Sequence, residues 1–177
     1  MHGAMGNNMS FQSTVQDDQT TGIPGEYAEG GPHRQFPGII KSSNAAANIF
    51  SRAFSHVADQ DDNVIAGGTG VFAGLLMNPK EHASLGGSSP LDATLTLPSE
   101  IDANFADNGI VYATISTTAD IGDDVHYVTL VDGTAGTLIA VAPGTTPAAN
   151  NALIPGAKIV RRNLTTTGQV GVIQLNA

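Results

Sequence analysis

An all-β fold is predicted for this chain by three features of its sequence. Apolar and polar residues alternate with a period of two in several short stretches between residues 48 and 175, as they do in strands. Glycine, proline, asparagine and aspartate separate these stretches, and no stretch has the apolar spacing of a long helix. We therefore expect a jelly-roll-like β-sandwich or a small barrel of about eight strands, with an extended N-terminal arm.

Residues 1–44 are predicted to form the arm, because glycine and proline are too frequent there for a helix or a long strand. Met9 could be the original start of the protein, with residues 1–8 an extension. Spaced apolar residues distinguish the arm from a disordered tail and indicate that it packs along its own domain or along a neighbour. These apolar residues are Phe11, Val15, Ile23, Tyr27, Phe36, Ile39 and Ile40.

Residues 45–177 are predicted to form the β-sandwich body. The expected strands cover residues 49–57, 64–66, 70–78, 93–97, 110–117, 125–131, 137–142, 158–164 and 169–175. The Asp132-Gly133 pair is the best short hairpin signal in the chain. Polar and small residues predict loops at 59–63, 81–90 and 143–151, and Ser99 with Glu100 could begin one helical turn.

The composition favours a surface suited to burial against another protein. Charged residues make up 13% of the chain, against about 25% in an average soluble domain. Hydroxyl, amide and backbone groups must therefore form much of the surface, and neutral groups cost less free energy to desolvate than charges do. The chain contains no cysteine, so no disulfide contributes to its stability.

The net charge of −9 lies in one middle segment of the chain. No Lys or Arg occurs between Lys80 and Lys158, while residues 81–157 contain nine Asp and Glu residues. Nucleic acid is an unfavourable partner, because contact with phosphates requires clustered cations. A membrane is unfavourable as well, because anionic lipid attracts cations and no apolar run has the length of a membrane-spanning helix.

No arrangement of residues in the sequence points to catalysis, a cofactor or a metal. The histidines have no pair at the spacing of a zinc site, and each is interpreted as a structural or surface residue: His2, His33, His56, His82 and His126. The serine-rich segment 86–90 lacks a Gly-x-Ser-x-Gly motif. The glycine-rich segment 67–70 lacks the Lys and the following helix of a phosphate-binding loop. We therefore predict no catalytic, cofactor-binding or metal-binding residue.

The clustered charges also have structural interpretations. Residues 59–63 lack the ligand spacing and the final Glu of a helical calcium loop, so they are interpreted as a solvated turn. Asp123 and Asp124 point to opposite faces of a strand and do not form a catalytic carboxylate pair. A basic cluster either forms a solvated strand edge or contacts acidic groups of a neighbouring subunit, such as the acidic segment of a second copy; its members are Lys158, Arg161 and Arg162.

Turn elements in the arm and in the C-terminal third carry a resemblance to a known family. The arm contains Phe11-Gln12-Ser13-Thr14-Val15, Gly22-Ile23-Pro24-Gly25-Glu26 and Gly31-Pro32-His33-Arg34. The C-terminal third contains Val125-His126-Tyr127-Val128, Asp132-Gly133, Ile154-Pro155-Gly156-Ala157-Lys158 and Gly171-Val172-Ile173-Gln174-Leu175-Asn176. Over most of residues 10–177 the chain resembles the structural cement proteins of tailed bacteriophages, whereas the segment around residues 80–110 does not share the resemblance.

The resemblance implies a cement or decoration subunit with a jelly-roll-like domain on the outer capsid surface of a virion. Its partners would be the major capsid protein and other copies of itself, as a homodimer or homotrimer. It implies stabilised contacts between capsid subunits and no catalysis. We expect no cofactor, no nucleic acid and no membrane as a partner. The arm is predicted to supply apolar anchors to the capsid or to a sister subunit.

Two other functions are compatible with a β-rich chain. One is a carbohydrate-binding or adhesin-like β-sandwich on a virion or cell surface. Sugars usually stack on aromatic rings, and the absence of Trp together with only three Tyr counts against this function. The other is a β-rich enzyme with an unrecognised site, whose activity would be lost on mutation of His56 or His126.

Overall fold

The computed structural model describes residues 22–78 and 96–176, and the regular structure within these ranges is almost entirely β. Its elements are β1 Arg34–Ile40, a 3₁₀ turn at Ala45–Ala47, β2 Ala53–Val57, β3 Gln60–Ala66, β4 Phe72–Leu76, β5 Asp102–Ile115, β6 Asp124–Val128, β7 Leu138–Val141, β8 Asn151–Arg161 and β9 Gln169–Asn176. The predicted all-β class is confirmed.

The strands form two closed rings that share β5. Hydrogen bonding connects them in the order β1-β3-β2-β4-β5-β7-β6-β8-β9, and two further pairings, β1 with β5 and β5 with β9, close the ends. The first ring therefore contains β1 to β5, and the second contains β5 to β9. Closure shortens the free sheet edge at which a foreign strand could add, and it confirms the small-barrel form of the prediction.

A bulge allows β5 to serve both rings. The register of β5 against β1 jumps from Ala106 to Asn108, which leaves Asp107 as an extra residue. In a regular strand Ala106 and Val111 would point to opposite faces. Because the bulge inserts one residue between them, both side chains enter the core of the second ring.

Two hydrophobic cores lie on either side of a wall formed by β2, β4 and the first half of β5. Neighbouring residues of each strand enter different cores, and none of these side chains is more than 1% exposed: Ala53 and Phe54, Leu75 and Leu76, Ala106 and Phe105. A strand that is buried on both faces reads as a continuous apolar run. This double burial explains why β4 shows no polar alternation.

β1 lies within the segment predicted as the arm and belongs to the sheet. It pairs with β5 along its length and with β3 at Ile39 and Ile40. Pro37 precedes the residues paired with β3, so its missing N–H falls outside that ladder. The Phe36 ring stacks on Phe105 with centroids 5.7 Å apart. The prediction of an arm relied on the high frequency of glycine and proline, and it missed this strand.

The turn predicted at residues 59–63 is wrong in its extent. β3 begins at Gln60, so the connection from β2 consists of Ala58 and Asp59. Asp59 has a φ of 59°, a left-handed conformation that aspartate tolerates in turns. The backbone of the polar residues that follow pairs with β2 and β1, because ladder hydrogen bonds do not depend on the side chains.

Other boundaries differ because pairing with distant strands extends the elements. β5 begins at Asp102 instead of residue 110, and β8 begins at Asn151 instead of residue 158. The helical turn expected at Ser99 is wrong: Glu100 has a φ of 65°, and its N–H donates to the Ile40 carbonyl at 2.7 Å. The strand expected at 93–97 lies largely outside the described residues, and Thr96 forms an isolated bridge with Ile49.

The hairpin expected at Asp132-Gly133 joins β6 to β7, which pair antiparallel. Its loop, residues 129–137, is longer than a two-residue turn and is held against the first ring. The Asp132 carboxylate accepts hydrogen bonds from the N–H and hydroxyl of Thr134, which lowers the pKa of Asp132. The Arg52 guanidinium donates to the carbonyls of Gly133 and Ala135 at 2.7 and 3.1 Å. Ala135 enters the first core, so a loop of the second ring completes the first.

His126 is a polar residue buried on the outward side of β6. Its neighbours Val125 and Tyr127 point into the second core, so its own ring points away from that core. The residue is 6% exposed, and its Nδ1 has no hydrogen-bond partner among the described residues. Burial lowers the pKa of His126 below its ordinary value of 6.5, because a buried ring loses the hydration of its charged form.

Gly136→Ala is expected to destabilise the fold more than Gly144→Ala. Both glycines have positive φ, 71° and 79°, so both substitutions carry about 1–2 kcal/mol of backbone strain. A Cβ at Gly136 would also lie 2.2 Å from the Ala53 carbonyl oxygen, whereas one at Gly144 would meet no atom within 4 Å. That clash should lower the free energy of unfolding of Gly136→Ala, measured in urea, by about 1–3 kcal/mol more. Equal losses would show that the loop is not seated tightly on β2.

The free energy of unfolding is expected to fall as the pH drops below 6.5, because of His126. The folded state lowers the pKa of this group, so the unfolded chain binds the proton more readily. Its contribution is complete above the unfolded value of about 6.5 and is lost as the pH falls toward the folded value. In urea unfolding, the free energy of unfolding of His126→Phe should fall less between pH 7.5 and pH 5 than that of wild type. His33→Gln, at an exposed position, serves as the control, and an unchanged slope in His126→Phe would contradict the assignment.

Candidate interaction surface

The described histidines lie in separate environments. The His33 ring packs on Tyr27 with centroids 4.3 Å apart, and the His56 ring stacks on Phe36 at 5.8 Å. His126 is buried in β6. Among residues 22–78 and 96–176, no group of three His, Cys, Asp or Glu side chains is arranged to hold a metal ion. His2, His82 and the serine-rich segment 86–90 lie outside these ranges.

The glycine-rich segment 67–70 directs its backbone to other parts of the chain. The N–H of Gly67 donates to the Ala53 carbonyl at 3.0 Å, and the N–H of Gly68 donates to the Thr129 carbonyl at 3.1 Å. A Cβ at Gly67 would lie 2.6 Å from the Leu130 carbonyl oxygen, so the close approach of two backbones requires glycine. In a phosphate-binding loop, backbone N–H groups of this kind donate to the phosphate. Here the N–H groups of Gly67 and Gly68 donate to protein carbonyls.

The adjacent carboxylates of Asp123 and Asp124 serve different contacts. Asp123 accepts a hydrogen bond from the N–H of Asp120 at 2.9 Å and stabilises the turn before β6. Asp124 forms an ion pair with Lys158 at 2.8 Å, across the β6–β8 pairing. The structure does not bring the two carboxylates to one substrate position, in agreement with their expected opposite orientation.

The basic cluster is engaged within its own chain. In addition to Asp124, Lys158 contacts the carbonyl of Gly122 at 3.3 Å. Arg161 forms an ion pair with Glu29 of the arm. Arg162 is exposed and has a φ of 60° at the end of β8. The pair between Arg161 and Glu29 fixes the arm to β8, which is a role that the sequence did not reveal.

The described arm is bound along β5 as an additional short strand. The N–H groups of Gly25 and Ala28 donate to the carbonyls of Tyr112 and Ile110 at 2.9 and 2.8 Å, and the N–H of Tyr112 donates to the Glu26 carbonyl at 2.8 Å. These bonds satisfy the edge of β5 that lies opposite β9. The arm therefore follows its own body from residue 22 onward.

Tyr27 anchors this part of the arm. Its ring packs against the second core, and its hydroxyl donates to the Arg34 carbonyl at 3.1 Å. Burial raises the pKa of Tyr27. A Cβ at Gly109 would lie 2.8 Å from this ring, so the glycine in β5 makes room for it. Of the apolar residues in the predicted arm, Tyr27, Phe36 and Ile40 thus contact their own body, while Phe11 and Val15 lie outside the described residues.

A shallow groove of about 270 Å³ runs between the arm and the end of β9. Its lining combines backbone with short polar side chains, among them Glu29, Asn108, Gln174 and Asn176. Because the groove is open and its lining mixes polar and apolar groups, it resembles a crevice between two surface segments more than the enclosed apolar pocket typical of a small-molecule site.

Several large apolar side chains are exposed on the described surface. They are Val71 at 77%, Val131 at 61%, Ile121 at 59%, Leu153 at 50% and Leu130 at 41% exposed. Single exposed apolar residues are common, whereas neighbouring ones indicate contact with another molecule. No helix in the described ranges has the length and hydropathy that a membrane crossing requires.

Comparisons with known proteins identify the family. The sequence model of the phage structural cement proteins (E217 gp24/Pam3 gp6) matches residues 11–176. No curated protein matches the chain. Among solved structures, a chain in the capsid of Myoviridae phage XM1 shares the fold with a TM-score of 0.62 and 15% identity, over 95% of this chain and 98% of that chain. The resemblance seen in the turn elements is confirmed, and the protein belongs to the phage structural cement protein family.

Proposed function

We propose that this protein is a cement subunit that binds the outside of a phage capsid and stabilises contacts between its major capsid proteins. The observation that carries the proposal is the family match over residues 11–176, which spans the arm and both rings. The protein would act by binding alone, without catalysis or a cofactor. Its partners would be the major capsid protein and further copies of itself, as a homodimer or a homotrimer.

The charge distribution supports a protein partner over nucleic acid. Described cations are engaged inside the chain: Arg34 with Asp107, Lys41 with Glu100, Lys158 with Asp124 and Arg161 with Glu29. Contact with phosphates would have to break these pairs in a chain whose net charge is −9. An anionic membrane would meet the same obstacle.

The attachment of the arm supports a contact that begins at a defined place on the body. A Cβ at Gly22 would lie 2.5 Å from the Tyr112 ring, so the chain passes directly over the outer side of β5 there. The described part of the arm therefore begins beside Tyr112. We propose that Phe11 and Val15 supply the apolar anchors. Several modest contacts of this kind, linked in one molecule, give strong overall binding because each raises the effective concentration of the next.

Deletion of residues 1–21 is expected to abolish binding to shells while leaving the body folded. The truncation keeps every described hydrogen bond of the arm, whereas deletion through residue 40 would also remove β1 from the first ring. Purified protein is mixed with empty shells that lack it, then sedimented and imaged by electron cryomicroscopy. Wild type should give ordered density on the outer surface. A folded truncation that still decorates shells with normal affinity would contradict the role of the arm.

A matched pair of variants separates apolar anchoring from general effects of the arm. Phe11→Ala with Val15→Ala should weaken shell binding about tenfold or more, as expected when two buried apolar side chains are lost. Gln12→Ala with Gln16→Ala changes neighbouring polar positions and should bind as wild type does. Wild-type protein that leaves the shells bare would refute the cement function itself.

A further inference from the structure

The outward face of β6, β7 and β8 carries an apolar strip beside its polar residues, where a solvated strand face is usually polar throughout. His126 lies directly opposite Ile139 in β7 and Leu153 in β8, and directly opposed residues share one face. Val128 and Val141 continue that face by the two-residue period. We name these five residues the outer-face patch.

The exposure of the outer-face patch shows that it is only partly covered. Leu153 is 50% exposed, and Val128, Ile139 and Val141 are half-buried. β7 is apolar on both faces, with Leu138 directed into the second core, and this composition is typical of a strand covered on both sides. The fold buries Leu138 on one side of β7, whereas Ala140 on that side and the residues on the other side are only partly covered.

The centre of the patch is already buried. His126 is 6% exposed, and its Nδ1 lies buried without a hydrogen-bond partner among the described residues. A polar ring on the outward face of a barrel would normally reach water. Here the patch surrounds it, which makes this face more like the edge of a core than a solvated surface.

The charges beside the patch are balanced, because they consist of one acid and one base. Asp124 lies opposite Val141 in β7 and opposite Lys158 in β8, and it forms the ion pair with Lys158. A surface that carries one acid and one base beside an apolar strip complements itself under twofold rotation, because each copy presents its base to the other copy's acid. Local neutrality also limits the repulsion that two chains of charge −9 would otherwise experience.

We infer that the outer-face patch packs against the same patch of a second copy, in a twofold pair whose Asp124 and Lys158 side chains contact across the interface. The inference rests on the self-association proposed above and adds the surface that forms it. For these contacts to form, the twofold axis must pass close to the charged pair, so that Leu153 and the rest of the outer-face patch are buried beside it.

Leu153→Asp tests the surface, with Val71→Asp, on the first ring, as the matched control. Both residues are at least half exposed, so both variants should fold, and thermal unfolding verifies this. The mass of the full-length chain is measured by sedimentation equilibrium over a concentration series. Wild type and Val71→Asp should have twice the chain mass, while dissociation of Leu153→Asp should be promoted about 30-fold or more, as for a buried interface residue.

Charge reversal tests the twofold arrangement. Asp124→Lys alone and Lys158→Asp alone should each associate weakly, because like charges would face one another. An equimolar mixture of the two variants should associate again, because each lysine then meets an aspartate of the other copy. A mixture that remains as dissociated as its components would overturn the twofold contact.

The outcomes separate this inference from the cement function. A Leu153→Asp protein that keeps the wild-type mass, or a Val71→Asp protein that dissociates equally, would overturn the assignment of the surface. A wild-type chain that is monomeric at every concentration would overturn self-association, even if it decorates shells. Loss of shell decoration by a monomeric Leu153→Asp, with wild type also monomeric, would instead assign the patch to the capsid subunit.

Discussion

The sharing of one strand by two closed rings is the constraint on which the rest of the structure depends. The first half of β5 pairs with β1 and β4, and its second half pairs with β9 and with the arm. A shift of one residue in either half would move every side chain to the opposite face. The bulge at Asp107 lets both halves keep their register while Phe105 and Val111 enter different cores.

The arm follows from the same constraint. β4 contacts β5 at Ala106 and Phe105, so the edge of β5 beyond the bulge needs another partner. Residues 25–28 supply it through hydrogen bonds to Ile110 and Tyr112. An unsatisfied buried backbone group costs about 1–3 kcal/mol, so the arm contributes to the stability of the body as well as extending from it. Glu29 adds a second attachment through Arg161 on β8.

The sequence predicted those elements whose side chains alternate and whose partners are close along the chain. β9 was expected at 169–175 and forms at Gln169–Asn176, because its apolar residues alternate without a breaker. The hairpin at Asp132-Gly133 was located correctly, although Arg52 and Ala135 seat its loop on a distant ring. These contacts join residues about eighty positions apart in the chain, and local periodicity contains no information about them.

The missed elements share a physical reason. β3 begins in a polar cluster and the first half of β5 contains Asp102 and Asn104, yet both are strands because backbone pairing with β1 supports them. The candidate surface was predictable only in part. The absence of motif chemistry and the low content of charged residues pointed to binding, whereas the outer-face patch depends on the register that places His126 between Ile139 and Leu153. A hydropathy pattern reports that β7 is apolar on both faces but cannot say that one of them faces outward.

The two proposed contacts, the arm on the capsid and the outer-face patch on a second copy, reinforce one another. This suits a cement protein that has few charged residues available for binding. Exposed ion pairs contribute about 0–1 kcal/mol each, so strong attachment must come from apolar contacts and from linkage. An apolar face between two copies would join two arms in one particle, and the described part of each arm begins beside Tyr112 at a fixed position. Once one arm is bound, the second is held near the shell at an effective concentration in the millimolar range. Weak individual anchors then suffice, provided that the pair holds the arms at the spacing of two capsid sites.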